Sequence, residues 1–255
     1  MNHGQTTRRD FLLGGAVLAT ASTFGFSGLF GLRAVQAADG DDVQTIVNIA
    51  ATAETFACTL YYGALTSKVK WTTPQLAYIK AALEQEEIHL EFLNSNGAKA
   101  LADKFYLPKG MYNSAISFGL VAAVAETAFV GAYLAATRRF AELGNPALAA
   151  TAAQVAVIEG QHLALVRQTA NELPNNLALA EPIFYNISEA VPALQPLLDG
   201  KAGALGAMDT KQTSYPGPDA IAKAVGKSAL APSKPFTAIS GPATPSATQA
   251  PTAAS

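Results

Sequence analysis

Two pairs of residues have the types and the spacing of a metal site. Glu86 and His89 stand three residues apart, and Glu159 and His162 repeat the arrangement. Three residues is close to one helical turn, so each Glu shares a helix face with its His. The only other histidine is His3. Around the first pair apolar residues recur through Ile79, Ala82 and Leu93, and around the second through Ala152, Val155 and Val166. Both pairs therefore fall on the stripe that should face a core. A lone carboxylate there costs several kcal/mol, on the order of 3–5 even after relaxation, unless it is paired or bound to a cation.

Two further glutamates complete a set. Ala53-Glu54-Thr55 and Ala125-Glu126-Thr127 match, and a tyrosine follows each Glu seven residues later, Tyr61 and Tyr133. Each of these glutamates precedes a Glu/His pair by about one helix-turn-helix, which makes the chain an internal duplication of hairpins. One Glu from each of two helices, with Glu-x-x-His from each of the other two, is the ligand set of carboxylate-bridged di-iron and di-manganese bundles. Four carboxylates carry the charge that two divalent cations neutralise. Mixed oxygen and nitrogen ligands suit Fe or Mn better than Mg or Ca. Cys58 is the sole cysteine, which excludes an intramolecular disulfide framework, a thiolate zinc site and a rubredoxin-type iron centre.

The elements that must position these groups can be read in order. A first periodic segment runs from about Asp42 to Lys68, with Val47, Ala50, Ala57, Tyr61 and Ala64 on one face. Thr72 and Gln75 form a capping-box pattern with Pro74 in the first turn, so a second helix starts there and ends at Asn96-Gly97. A longer connection follows, through Pro108 and Gly110 to Tyr112. Asn113 or Ser114 caps a third helix that reaches about Leu143, with Gly119, Ala123, Glu126, Val130 and Tyr133 inward. Gly144-Asn145-Pro146 is a tight joint, and a fourth helix runs to about Glu172, before Pro174. Short joint, long crossover, short joint is the connectivity of an all-α four-helix bundle with one long crossover. Residues 174–212, with Pro182, Pro192 and Pro196 among apolar residues, are expected to be short helical pieces packed on the bundle. From about Thr213 onward Pro, Ala, Ser, Thr and Gly dominate, and a disordered tail is expected.

With the six residues Glu54, Glu86, His89, Glu126, Glu159 and His162 in place, the chain from 42 to 173 resembles the ferritin-like superfamily. More narrowly it resembles exported bacterial ferritin-like domain proteins related to plant desiccation-related proteins. The resemblance implies two bound Fe ions, or Mn, that react with dioxygen or peroxide, with ferroxidase and peroxide-scavenging chemistry equally open. It also implies a supporting role for Tyr61 and Tyr133, which can hydrogen-bond a ligand or take part in electron transfer; core packing with a satisfied hydroxyl is the plainer reading. Gln85, beside one ligand Glu, could support a metal-bound imidazole, whereas the equivalent Ile158 cannot. Glu84, Glu87 and Glu91 lie off the inner stripe and are expected in solvent. Cys58 is expected to be a small buried hydrophobe.

Other classes are disfavoured. The formal charge is −2 with no basic cluster, so nucleic acid is not an expected partner. Haem is not expected, since Met1, Met111 and Met208 all lie away from the middle of a proposed bundle helix. The N-terminus reads Thr7-Arg8-Arg9-Asp10-Phe11-Leu12, an apolar stretch through Leu32, then Val35-Gln36-Ala37. This tripartite order over residues 1–37 resembles a twin-arginine export signal, placing the protein in the periplasm or cell envelope, with membrane attachment only if the signal stays uncleaved. A homo-oligomer remains open. The alternative to an oxidoreductase is a stress-protective envelope protein in which metal only stabilises the bundle or is absent.

Overall fold

The computed structural model describes residues 40–200 and 209–239. Residues 1–37, where an export signal is expected, and the stretches 201–208 and 240–255 lie outside the described residues. Four long helices dominate: α1 (Val43–Thr66), α2 (Thr73–Ser95), α3 (Ala115–Glu142) and α4 (Pro146–Thr169). Each begins on a side chain that satisfies an otherwise unpaired backbone N–H, namely Asp42, Thr72, Ser114 and Asn145. Thr72 and Gln75 form the full reciprocal capping box. Helix ends come where left-handed glycines allow them, at Gly97 after α2 and Gly144 after α3.

α1 packs on α2 and α3 on α4 as two hairpins, which meet through α1 against α3 and α2 against α4. The fold is therefore the helical bundle that the connectivity implies. Its core is Ala-rich, anchored by Phe56, Leu60, Tyr61, Leu83, Phe118 and Val166. Small residues let the second hairpin close tightly: a Cβ on Gly119 of α3 would lie 2.6 Å from the backbone oxygen of Val166 in α4. Gly119→Ala is expected to cost about 1–3 kcal/mol, because backbone rather than a flexible side chain must yield. Thermal unfolding of the variant measures this.

The crossover contains β1 (Lys104–Pro108), which pairs antiparallel with β2 (Thr210–Ser214). Before β2, a single turn at Ile187–Ala190 leads into α5 (Val191–Asp199), which buries Leu197 and packs against β1. α6 (Pro218–Val225) follows β2 and lies on α2 and α1, burying Ile221 and Val225. A last turn at Phe236–Ala238 lies on α4. There Gln154 donates to the Lys234 oxygen at 3.2 Å and accepts from the Phe236 N–H at 2.7 Å, and Thr151 accepts from the Thr237 N–H at 3.2 Å.

The expectation of disorder from Thr213 therefore fails over residues 213–239. Average composition hid the anchors. Tyr215, Ile221 and Val225 suffice to dock the stretch, and β1 supplies its backbone partners. The two short strands are likewise an addition to the all-α expectation, in a structure that is otherwise helical.

Candidate metal centre

The bundle brings all six predicted residues together at mid-helix. Glu54 comes from α1, Glu86 and His89 from α2, Glu126 from α3, Glu159 and His162 from α4. The four carboxylates and His162 are buried, and the His89 side chain is 11% exposed. They form two overlapping groups: Glu54, Glu86, His89 and Glu159, and Glu86, Glu126, Glu159 and His162. In each group one atom per residue lies within 4.8 Å of the others.

Glu86 and Glu159 belong to both groups, and their two oxygens divide between them. Glu86 sets Oε2 3.7 Å from His89 Nδ1 and Oε1 2.9 Å from His162 Nδ1. Glu159 sets Oε1 3.3 Å from His89 Nδ1 and Oε2 3.3 Å from His162 Nδ1. Glu54 completes the His89 group, 3.7 Å from its Nδ1, and Glu126 the His162 group, 3.9 Å from its Nδ1. Two carboxylates thus span the two groups, each turning one oxygen toward each imidazole.

The tyrosines cross between hairpins. Tyr61, from the helix of Glu54, donates to Glu126 Oε1 at 2.5 Å, and Tyr133, from the helix of Glu126, donates to Glu54. Each terminal carboxylate is thus held by the opposite half of the duplication. Gln85 Oε1 lies 2.9 Å from His162 Nε2. An Nε2–H donated there leaves the Nδ1 lone pair of the neutral ring facing the carboxylates. The sequence places Ile158 at the matching position, and it offers His89 no such bond.

The electrostatics are those of a site short of positive charge. Burial, with Glu86 and Glu159 beside it, pushes the Glu54 carboxyl well up; burial with the same neighbours does so for Glu126. Burial opposes charge on the two imidazoles as well, but the surrounding carboxylates win and raise both. Burial also disfavours the Glu86 anion, yet His162 and His89 hold its carboxyl below the usual range. Protons on Glu54, Glu126 and both imidazoles would supply four positive charges, the number that two divalent cations carry. Both Glu86 oxygens, Glu126 Oε2, Glu159 Oε1 and His89 Nδ1 are buried without a hydrogen-bond partner among the described residues. Orphaned acceptors at this density are rare unless a ligand meets them. The residues fit metal ions, with the oxygen and nitrogen donors that Fe or Mn accept.

Comparison with known families agrees. The model of the ferritin-like domain matches residues 41–172, just over half of the chain. The chain belongs to the ferritin-like domain family. No curated protein and no solved structure matches it. The ferritin-like domain is the part that holds all six residues of the cluster, and the C-terminal extension lies beyond it.

Glu87 departs from expectation. It is buried rather than solvated: Tyr215 donates to its two oxygens at 2.7 and 2.9 Å, and Cys58 to Oε2 at 3.4 Å. It forms one wall of a cavity of about 560 Å³ shared with Glu91, Asp103 and Tyr215. Burial raises the Glu87 carboxyl against these hydrogen bonds. Helix periodicity could not reveal this, since the face of α2 that carries Glu87 is covered by Cys58 of α1 and by Tyr215 of the extension. Tyr215→Phe should leave Glu87 short of its main donor and cost about 1–3 kcal/mol, read as a lowered denaturant midpoint at unchanged slope.

Proposed function

We propose that this protein is an exported ferritin-like oxidoreductase whose paired Fe or Mn ions react with dioxygen or peroxide. The carrying observation is the sharing of Glu86 and Glu159 between two groups that each end in one further Glu and one His. A site for one ion has no use for two carboxylates that each aim separate oxygens at separate imidazoles. Export rests on the Arg8-Arg9 signal pattern of residues 1–37, and a route for folded proteins suits a chain that acquires its metals before it leaves the cytoplasm.

When bound, the ion pair supplies one-electron steps to an oxidant. The chain supplies the rest. Glu86 and Glu159, which belong to both residue groups, would be shared between the two positions, and Glu54 with His89 and Glu126 with His162 would complete them. Tyr61 and Tyr133 hold protons against the two terminal carboxylates and keep those side chains in one orientation. Gln85 orients His162. Burial keeps bulk water away, which strengthens every charge interaction inside.

Elemental analysis of natively exported protein, beside the double variant His89→Ala/His162→Ala, tests the reading. Near two Fe or Mn per chain, lost in the variant, and oxidation of Fe(II) or consumption of peroxide faster than by free metal, support it. Metal without turnover favours the stabilising role. A metal-free protein overturns the centre.

A further inference from the structure

The two halves of the duplication match in sequence register but not in packing. Tyr78 and Thr151 each stand eight residues before the metal-site Glu of their helix, and Ile79 and Ala152 each seven before it. In the half around His162, Tyr78 fills its place: its hydroxyl lies 2.9 Å from that of Tyr61, and its ring meets Tyr61 edge-on at 6.3 Å. Phe118 packs on the other side of Tyr61, at 5.7 Å. In the half around His89, Thr151 and Ala152 leave that volume open. A third difference is Val47, which stands in the register position of Gly119, the residue whose missing Cβ lets α3 approach α4, and which lines the open volume.

The result is a small cavity at the His89 end of the bundle axis, bounded by Val47, His89, Phe92, Tyr133, Ala152 and Val155. The space open to the centre of a water-sized molecule is about 20 Å³. One water needs roughly 10–15 Å³ on that measure, so there is room for one small molecule. Water suits it poorly. Tyr133 donates to Glu54, Thr151 to the Ala147 oxygen and Asn96 to the Phe92 oxygen, so these groups are already engaged, and the His89 ring, whose Nδ1 lacks a hydrogen-bond partner, is a single polar neighbour. A cavity needs two to four free polar partners to hold a water well, and an apolar one stays dry and takes up apolar gases.

We infer that this cavity admits and holds one apolar diatomic molecule, dioxygen, beside the Glu54/His89 position, so that the two metal positions are inequivalent and oxidant reaches the centre from the His89 side. This rests on the proposed dimetal centre, but the cavity itself can be tested without metal. The probe is xenon, applied under pressure to crystals of the metal-free protein and followed in solution by xenon NMR. One xenon per chain against Val47, Phe92 and Val155 is expected.

Two variants copy the filled half: Thr151→Tyr, and the milder Ala152→Ile, which keeps the Thr237 contact. Each should lose xenon occupancy and keep the wild-type metal content. In the loaded protein each should slow dioxygen-dependent oxidation by tenfold or more while leaving the peroxide reaction within about twofold. Absence of xenon from the wild-type cavity overturns the inference, as does a folded, xenon-free Ala152→Ile that reacts with dioxygen at the wild-type rate. Xenon bound by a chain that takes up no metal overturns the centre instead, and leaves the cavity as a gas site.

Discussion

Glu86→Ala or Glu159→Ala is expected to take the protein from two bound ions per chain to nearly none, while Glu54→Ala or Glu126→Ala should leave about one. The difference follows from geometry alone. Each shared carboxylate sends one oxygen toward each imidazole, so its loss removes a ligand from both groups. Each terminal carboxylate belongs to one group only. Loss of a partner outside the ligand shell typically weakens metal binding by 10–100-fold, and loss of a shared ligand should exceed about 100-fold at both positions. Metal per chain after equilibrium dialysis against Mn(II), measured by elemental analysis, separates the two classes. Equal losses in all four variants would contradict the assignment of shared and terminal roles.

Metal-free and metal-loaded protein should respond to pH in opposite directions. In the metal-free protein Glu54 and Glu126 titrate above their unfolded values, so the native state binds more protons than the unfolded state above about pH 4.5. His89 and His162 are also raised; their stabilising contribution is complete below about pH 6.5 and is lost as pH rises through their folded values. Both pairs give the same sign. Glu86 acts oppositely, but its folded value is depressed, so its contribution is present above the ordinary carboxylate range and lost only in strong acid. Metal-free stability should thus fall as pH rises from 5 toward 8, by about 1.4 kcal/mol per pH unit for each extra proton held. Metal ligation requires those protons to leave, so the stabilisation added by metal should grow over the same interval. Thermal unfolding at several pH values, with and without Mn(II), should show a gap in midpoint that widens with pH. A constant or narrowing gap would refute the coupling.

Much of this site could be read from residue order. A Glu and a His three apart on an apolar helical stripe must share a buried face. Its repetition, with Glu54 and Glu126 at matching distances, leaves few arrangements other than four helices converging on one point. The cap at Thr72 was legible and Ser114 was one of two candidates, because a cap acts on a backbone N–H three residues ahead; Asp42 and Asn145 turn out to cap their helices in the same way. What periodicity does not carry is partnership across the chain. Glu87 looks solvated on the wheel of α2, and its donors are Cys58 on another helix and a tyrosine 128 residues later. The crossing of the tyrosines, Tyr61 to Glu126 and Tyr133 to Glu54, depends on how the hairpins dock, not on either hairpin's own pattern. The tail misled for a related reason: composition averages over a segment, whereas docking depends on a few side chains such as Ile221 and Val225.

The pairing of β1 with β2 joins residues more than a hundred positions apart, whereas each bundle hairpin joins neighbours in the chain. Closing so long a loop is entropically slow compared with zipping adjacent helices. The bundle is therefore expected to assemble first and the extension to be fastened last. Until then Lys104–Pro108 is an open strand edge bearing Phe105 and Leu107, the kind of surface that recruits strands from other molecules. On this order the hazard of self-association would be concentrated in the interval before the C-terminal strand arrives, with β2 the stopper for the edge it pairs.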